Sequence, residues 1–327
     1  MKCLFCKTEI NNTNNSIEHI IPKFLGGNYV IYNVCKDCNS KIGEDFEREL
    51  SQNTVIKFFQ TFYHIKNRSG KFIVPDLELE CSENMRIKSD DEGHIFMYTT
   101  MNVYDDGRNI NITIDKSESN EKLEKLINTK VSRLNKKNDG NVVYGNMKKE
   151  EKLIHGIPKD ANISIENDIL ILLSIKIAHE FSCICLGSKY FESNIAERFR
   201  KIILDDKNYL NEVPIKLSYN HRQAKFCVYK VAEIANENTY NKYYKNKLIY
   251  PSNGNYTHEI TLIHKQGNIF VNISLFDIIY SEICVSDNSE TYGFEKGEII
   301  KLIIGINDKK PFKEIITKYK ELKQNLI

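Results

Sequence analysis

Apolar side chains recur along this chain in two rhythms, and the change from one to the other marks its elements. Ile42, Phe46 and Leu50 repeat at i, i+4 and i+8, the buried stripe of a helix opening around Cys38 or Asn39. The pattern predicts a break near Gln52-Asn53-Thr54 and a continuation through Phe58 and Phe59 to about His64. Ahead of that helix, Ser16 to Ile21 is rich in β-branched residues and stops at Pro22, which cannot donate to a ladder. Asn28 to Val34 reads as a second strand, joined to the first through Phe24-Leu25-Gly26-Gly27. The expected order is strand, strand, helix.

Asn67-Arg68-Ser69-Gly70 is a predicted boundary. Past it, His94 to Tyr104 and Asn109 to Ile114 flank Asp105-Asp106-Gly107, a hairpin signal. Leu123, Leu126, Ile127, Val131 and Leu134 fall at helical spacing, with Lys122, Lys125, Lys130 and Arg133 on the other face. Ser164 to Cys185 is apolar almost all round, as a core helix is, and Phe191 to Leu204 follows as another. Strands are then expected over Ile215–Tyr219, Lys225–Val231, His258–His264, Asn268–Leu275, Ile278–Val285 and Glu298–Ile304, with a tight hairpin at Lys265-Gln266-Gly267. A closing helix opens at Pro311. The fold class is α+β, a first domain over residues 1–65 followed by a larger mixed α+β domain over 66–327.

Composition changes this picture little. Hydrophobic content of 41% and charged content of 28% over 327 residues describe an ordinary soluble globular protein. With 46 Lys+Arg against 44 Asp+Glu the net charge is +2, so attraction to nucleic acid has to come from local patches. The most basic stretch, Glu121 to Asp160, holds ten Lys/Arg and six Asp/Glu; it reads as a phosphate-tracking face or as a solvated amphipathic helix. Tyr240 to Lys245 interleaves aromatic and basic side chains that can stack bases, or is an exposed connecting loop. The longest apolar run, Ile169 to Ile175, is too short for a bilayer, and no charged-then-apolar leader precedes Cys3. No membrane partner and a cytoplasmic location are therefore expected. His179 and Glu180 read as packing in a core helix. Of nine cysteines, Cys81, Cys183, Cys185, Cys227 and Cys284 lack regular spacing and read as free thiols in a reducing compartment.

The other four cysteines carry chemistry. Cys3-Leu4-Phe5-Cys6 and Cys35-Lys36-Asp37-Cys38 bracket Glu18-His19, with 28 residues between Cys6 and Cys35. Two such pairs can turn four thiolates toward one ion, the closed tetrahedral set of a structural zinc. A redox pair or two unrelated thiol pairs are the alternatives. A histidine titrating near neutrality suits the activation of water, and a hard cation held by a carboxylate and an amide oxygen suits the charge on a phosphate. Neighbouring strand residues point to opposite faces, so Glu18 and His19 reach one site only if the strand bends or a metal sits at its edge. The bland alternative is an exposed His and Glu on a zinc-stapled nucleic-acid-binding module.

Glu18-His19-Ile20-Ile21-Pro22, then Asn33, then Cys35-Lys36-Asp37-Cys38-Asn39-Ser40-Lys41, in that order, resemble the HNH endonucleases. The resemblance covers about the first 60 residues and implies a zinc-stapled ββα-metal domain that hydrolyses phosphodiester bonds. It implies His19 as general base, Glu18 and Asn39 as holders of a catalytic Mg²⁺ or Mn²⁺, and Asn33 as the residue that orients the His19 loop. The family often has His where this chain has Asn39. The implied partner is nucleic acid, taken as double-stranded DNA; a homodimer or a partner protein stays open. Residues 66–327 would then select or sense the target, as in bacterial restriction and antiphage nucleases, an inference from architecture alone. Two other readings stay open: a non-catalytic zinc-stapled nucleic-acid-binding regulator, and a nuclease gated by a small-molecule signal bound in the C-terminal domain.

Overall fold

The computed structural model describes residues 1–67, 69–75, 85–90, 92–99, 102–105, 110–113, parts of 121–133, 165–205, 210, 212–244, 257–294 and 298–306. They fall in two compact units. The first joins residues 1–75, 162–228 and 251–327; the second comprises 76–161 and 229–250.

The chain begins with strands β1 (Asn15–His19) and β2 (Val30–Cys35), paired antiparallel. Cys35 then caps helix α1 (Lys36–Ile42), which widens into a π-turn over Gly43–Glu47 and resumes as α2 (Arg48–Gln52). The wide turn suits a stripe spaced by fours: Ile42, Phe46 and Leu50 are all buried. The expected break falls at Asn53, whose side chain accepts from Val55 N and Ile56 N to cap α3 (Thr54–Phe62).

In the second unit, β3 (Met85–Ser89) pairs with β4 (Ile95–Thr99), and β5 (Asn102–Asp105) with β6 (Ile110–Thr113). The strand expected over His94–Tyr104 is thus two strands with different partners. The edge of β4 is closed by side chains: Thr239 Oγ1 bonds Met97 N at 2.8 Å, and Asn238 Nδ2 donates to Ile95 O at 2.9 Å.

Next come α4 (Asn167–Phe191), bent at Gly187 with φ 68°, and α5 (Asn194–Leu204), capped by Ser193. Strand β7 (Ile215–Tyr219) precedes α6 (His221–Tyr244). The strand expected at Lys225–Val231 is therefore helical. Phe226-Cys227-Val228-Tyr229 has strand-like composition, yet the buried set Ala224, Cys227, Val228, Val231, Ala232, Ile234 and Ala235 follows helical spacing. Tyr240 to Tyr244 also lie in α6 rather than in a loop.

Strands β8 (Thr257–Lys265), β9 (Asn268–Leu275), β10 (Ile279–Ser286) and β11 (Ile299–Gly305) complete an antiparallel sheet in the order β11-β8-β9-β10-β7. Burial alternates along these strands, which sends Ile260, Leu262, Val271, Ile273, Ile283 and Leu302 to the core. Gln266 (φ 55°) and Gly267 (φ 82°) make the predicted tight turn. Between β9 and β10, Phe276 and Asp277 both adopt φ 59°, unfavourable for a bulky residue. The buried Phe276 ring stacks on Tyr63 at 4.9 Å, and Tyr63 Oη donates to Phe276 O at 3.1 Å.

α4 packs on β9 and β10, and the N-terminal strands and the π-turn pack on α4 as well. That double cover explains its all-round apolarity. At 25 residues it is long and apolar enough to cross a membrane, unlike the short run expected, but 78% of its most apolar window is buried inside the protein. The turn at Asp106-Gly107, Cys81, Lys245, most of the basic stretch and the helix expected from Pro311 lie outside the described residues.

Candidate metal centre and active site

Two turns bring the four thiols together. Cys3 N donates to Thr8 O at 2.8 Å and Lys7 N to Cys3 O at 3.1 Å, folding the first pair into a tight loop that passes through Lys7 at φ 62°. Cys35 ends β2 and Cys38 lies in the first turn of α1, so a strand-to-helix junction presents the second pair. Cys35 N donates to Cys3 Sγ at 3.4 Å, Cys6 and Cys35 sulfurs are 3.6 Å apart, and all four lie within 4.8 Å of one another. Four sulfurs at about 2.3 Å from a tetrahedral zinc would sit roughly 3.8 Å apart, so the set fits. Their protonation shows the same crowding. The Cys38 thiol, aided by backbone N–H groups of Cys35, Cys6 and Phe5, draws the Cys3 pKa down to about 4 against the effect of burial. Contact with Cys3 pushes Cys38 up, and burial pushes Cys35 up. A zinc ion would let all four be thiolates. The thiols read from spacing are thus a site suited to structural zinc.

The β1–β2 register decides where the remaining predicted residues point. Ser16 faces Val34 but Glu18 faces Ile31, so Tyr32 and Asn33 share the space opposite Ile17 in a β-bulge. Past the bulge, burial alternates: Ile17 is exposed, Glu18 buried, His19 half-buried and Ile20 buried. His19 therefore shares the outer face with Ile17, and Glu18 turns inward. Asn39 reaches β1 from α1, its Nδ2 donating to Ile17 O at 2.9 Å and Ser16 Oγ at 3.2 Å. With its amide nitrogen bound to β1, the oxygen is the atom Asn39 can offer a metal. Asn33 O accepts from Leu4 N at 2.9 Å, while its buried Oδ1 has no hydrogen-bond partner among the described residues. Asn33 thus couples the bulge to the first cysteine loop.

Residues 3–55 match the family model of the HNH endonucleases. No curated protein and no solved structure matched the chain. The HNH segment holds both cysteine pairs, Glu18, His19, Asn33 and Asn39, and the match points to a nuclease acting on nucleic acid.

The inward face of the HNH segment meets a residue that the sequence reading passed over. Lys176, on α4, is fully buried, and its Nζ lies 2.5 Å from Glu18 Oε1, 3.3 Å from Glu47 Oε1 and 3.4 Å from Glu180 Oε2. The same ammonium donates to His19 O at 2.8 Å and Ile20 O at 3.3 Å. Burial works to lower the Lys176 pKa, but Glu18, Glu180 and Glu47 outweigh it and keep the side chain charged. Burial raises Glu180 well above the ordinary carboxyl range despite Lys176. A metal ligand role for Glu18 has to draw its carboxylate away from this ammonium, and Glu18 and His19 do not share a face. The one available signal was a Lys–Glu pair at i, i+4 in an otherwise apolar helix.

His179, one turn further, is packing, as expected. Its Nε2 bonds Leu4 O at 3.0 Å, its ring lies 5.5 Å from Phe5, and burial lowers its pKa to about 4.

Proposed function

We propose that this protein is a divalent-metal-dependent endonuclease that cuts DNA, with His19 as general base, in a restriction or antiphage setting. The observation that supports it most is the outer face of the HNH segment. His19, half-buried on that face, lies on the same strand to which the Asn39 amide nitrogen is fastened, in a segment that also carries the four-thiol cluster. His19 takes the proton of the attacking water, and its place at the end of β1 keeps the ring accessible to a phosphate on the protein surface. A bound Mg²⁺ or Mn²⁺ would neutralise charge on the phosphate and the leaving oxygen; the Asn39 oxygen would help hold it, and such an ion keeps most of its own waters, so few protein ligands suffice. Exposed Ile17 and Tyr32 border His19 on this face and offer apolar contact to sugar and base.

The test is plasmid cleavage by the full chain with Mg²⁺, with Mn²⁺ and with EDTA. His19→Ala should lower the rate by about 10²–10⁴-fold with zinc content and melting temperature unchanged. One observation favours a second reading, a zinc-stapled nucleic-acid-binding regulator: Glu18 is neutralised by Lys176 instead of facing solvent. Metal-independent DNA binding without nicking, or undiminished nicking by zinc-replete His19→Ala, would move that reading ahead.

A further inference from the structure

We propose that Lys176 is a positioning residue for His19, acting across 157 residues of sequence through the backbone of β1. This rests on the reading of His19 as the base.

The ladder leaves the His19 end of β1 thinly held. Regular pairing stops at His19 opposite Val30, the next bond, Ile20 N to Tyr29 O, is long at 3.3 Å, and Pro22 has no N–H to give. The Lys176 ammonium supplies the missing hold. Its N–H groups are taken by Glu18 Oε1, His19 O and Ile20 O, while Glu47 Oε1 lies 3.3 Å away as a further ion-pair partner. The peptide that bears the imidazole is thus gripped from the core side, while Asn39 grips it at Ile17 O from the α1 side.

A stability role explains this arrangement poorly. Burying an ammonium with three carboxyl groups costs solvation that an apolar replacement of similar volume avoids, so such clusters are weak stabilisers. What the ammonium does that a methionine cannot is fix two consecutive carbonyl oxygens. Catalytic geometry is sensitive on this scale: a displacement of about 1 Å can cost about 10²-fold in rate.

The test uses the full-length, zinc-replete protein and three forms: wild type, Lys176→Met, and Lys176→Met/Glu47→Gln, which removes one charge of each sign. Single-turnover cleavage as a function of plasmid concentration separates the chemical step from DNA binding. Backbone hydrogen exchange, followed by mass spectrometry, reads the strand without reference to activity. Both variants should lose about 10²-fold in the single-turnover rate, with half-saturation by DNA within about twofold of wild type. Exchange should quicken in peptides covering 16–22 and stay unchanged in those covering 33–42. If Lys176→Met alone fails to fold, the double variant carries the test. A double variant that cleaves at the wild-type rate, or exchanges at the wild-type rate over 16–22, overturns the proposal. Loss of the whole fold in both variants also overturns it, because Lys176 would then serve folding at large. Wild-type protein that cuts no DNA with either metal defeats the nuclease reading instead, and exchange over 16–22 still decides whether Lys176 fixes the strand.

Discussion

Two cation-centred clamps hold the first forty residues, and they differ in where their ligands come from. The four thiols all lie between Cys3 and Cys38, and the ion they suit comes from outside the chain. The second clamp brings its own cation: Lys176 Nζ takes the place of a metal among Glu18, Glu47, Glu180 and two carbonyl oxygens. The thiol site can assemble from local chain alone. The ammonium site exists only once α4 has packed beneath β1. One clamp makes the HNH segment a fold; the other makes it part of a larger molecule.

The largest effect expected is on the thiol side. Cys35→Ser should release zinc and unfold residues 1–65, since structural zinc contributes folding energy outright. Zinc analysis with limited proteolysis checks this, and protein purified without chelator yet lacking tightly bound zinc would remove that half of the comparison. On the lysine side, Lys176→Met should cost about 3–5 kcal/mol in urea unfolding, because it strands buried carboxylates. A loss below about 1 kcal/mol would mean that those carboxylates need no counter-charge.

A third tie to the N-terminal segment uses no ion. Buried His258 donates from Nε2 to Leu25 O at 2.8 Å and accepts at Nδ1 from Phe276 N at 3.3 Å, an arrangement only the neutral ring can make. Burial lowers its pKa to about 4, against the weaker opposing effect of Leu25 O. The native state then binds fewer protons than the unfolded chain between about 6.5 and 4. Stability from this tie is full above that window and falls as pH drops through it, by about 3 kcal/mol in all. Glu180 slopes the other way, its raised pKa favouring the fold most at low pH and less as pH rises. His258→Gln should therefore flatten the acid fall in urea midpoint between pH 7 and 4; an unchanged slope would show that other groups carry it. The smallest effect is expected of Glu180→Gln at pH 5. Burial pushes that carboxyl toward its neutral form, which an amide of the same shape replaces closely, and the loss should stay under about 1 kcal/mol. A cost above about 3 kcal/mol would place a charged Glu180 in the clamp.

The same contrast governs what the sequence could reveal. Cys-x-x-Cys pairs, the Ile42-Phe46-Leu50 stripe, the strand at Ile215–Tyr219 and the alternating strands from His258 onward are local patterns, and the structure carries all of them. Asn39 bonds the strand that carries His19, a tie that follows because a short ββα unit leaves few arrangements. The inward turn of Glu18 depends on a one-residue bulge at Tyr32-Asn33, which no spacing rule announces. Lys176 was a single charge in an apolar run, and its partners lie over 120 residues earlier in the chain, apart from Glu180. The strand expected over Lys225–Val231 is helical in α6, because its β-type composition is outweighed by the helical spacing of its buried positions.

The reach from Lys176 to His19 also sets a clock on the newly made chain. Both thiol pairs leave the ribosome early and can take up zinc at once, but the ammonium arrives 157 residues after His19. At about 5–20 residues per second, that is roughly 8–30 s of synthesis during which the strand bearing His19 can have its metal staple but not its second grip. A nascent chain released before residue 176, by a nick in its message or a stalled ribosome, would carry the HNH motif without a firmly placed His19. On the proposed nuclease reading, this delay makes truncated products poorly armed.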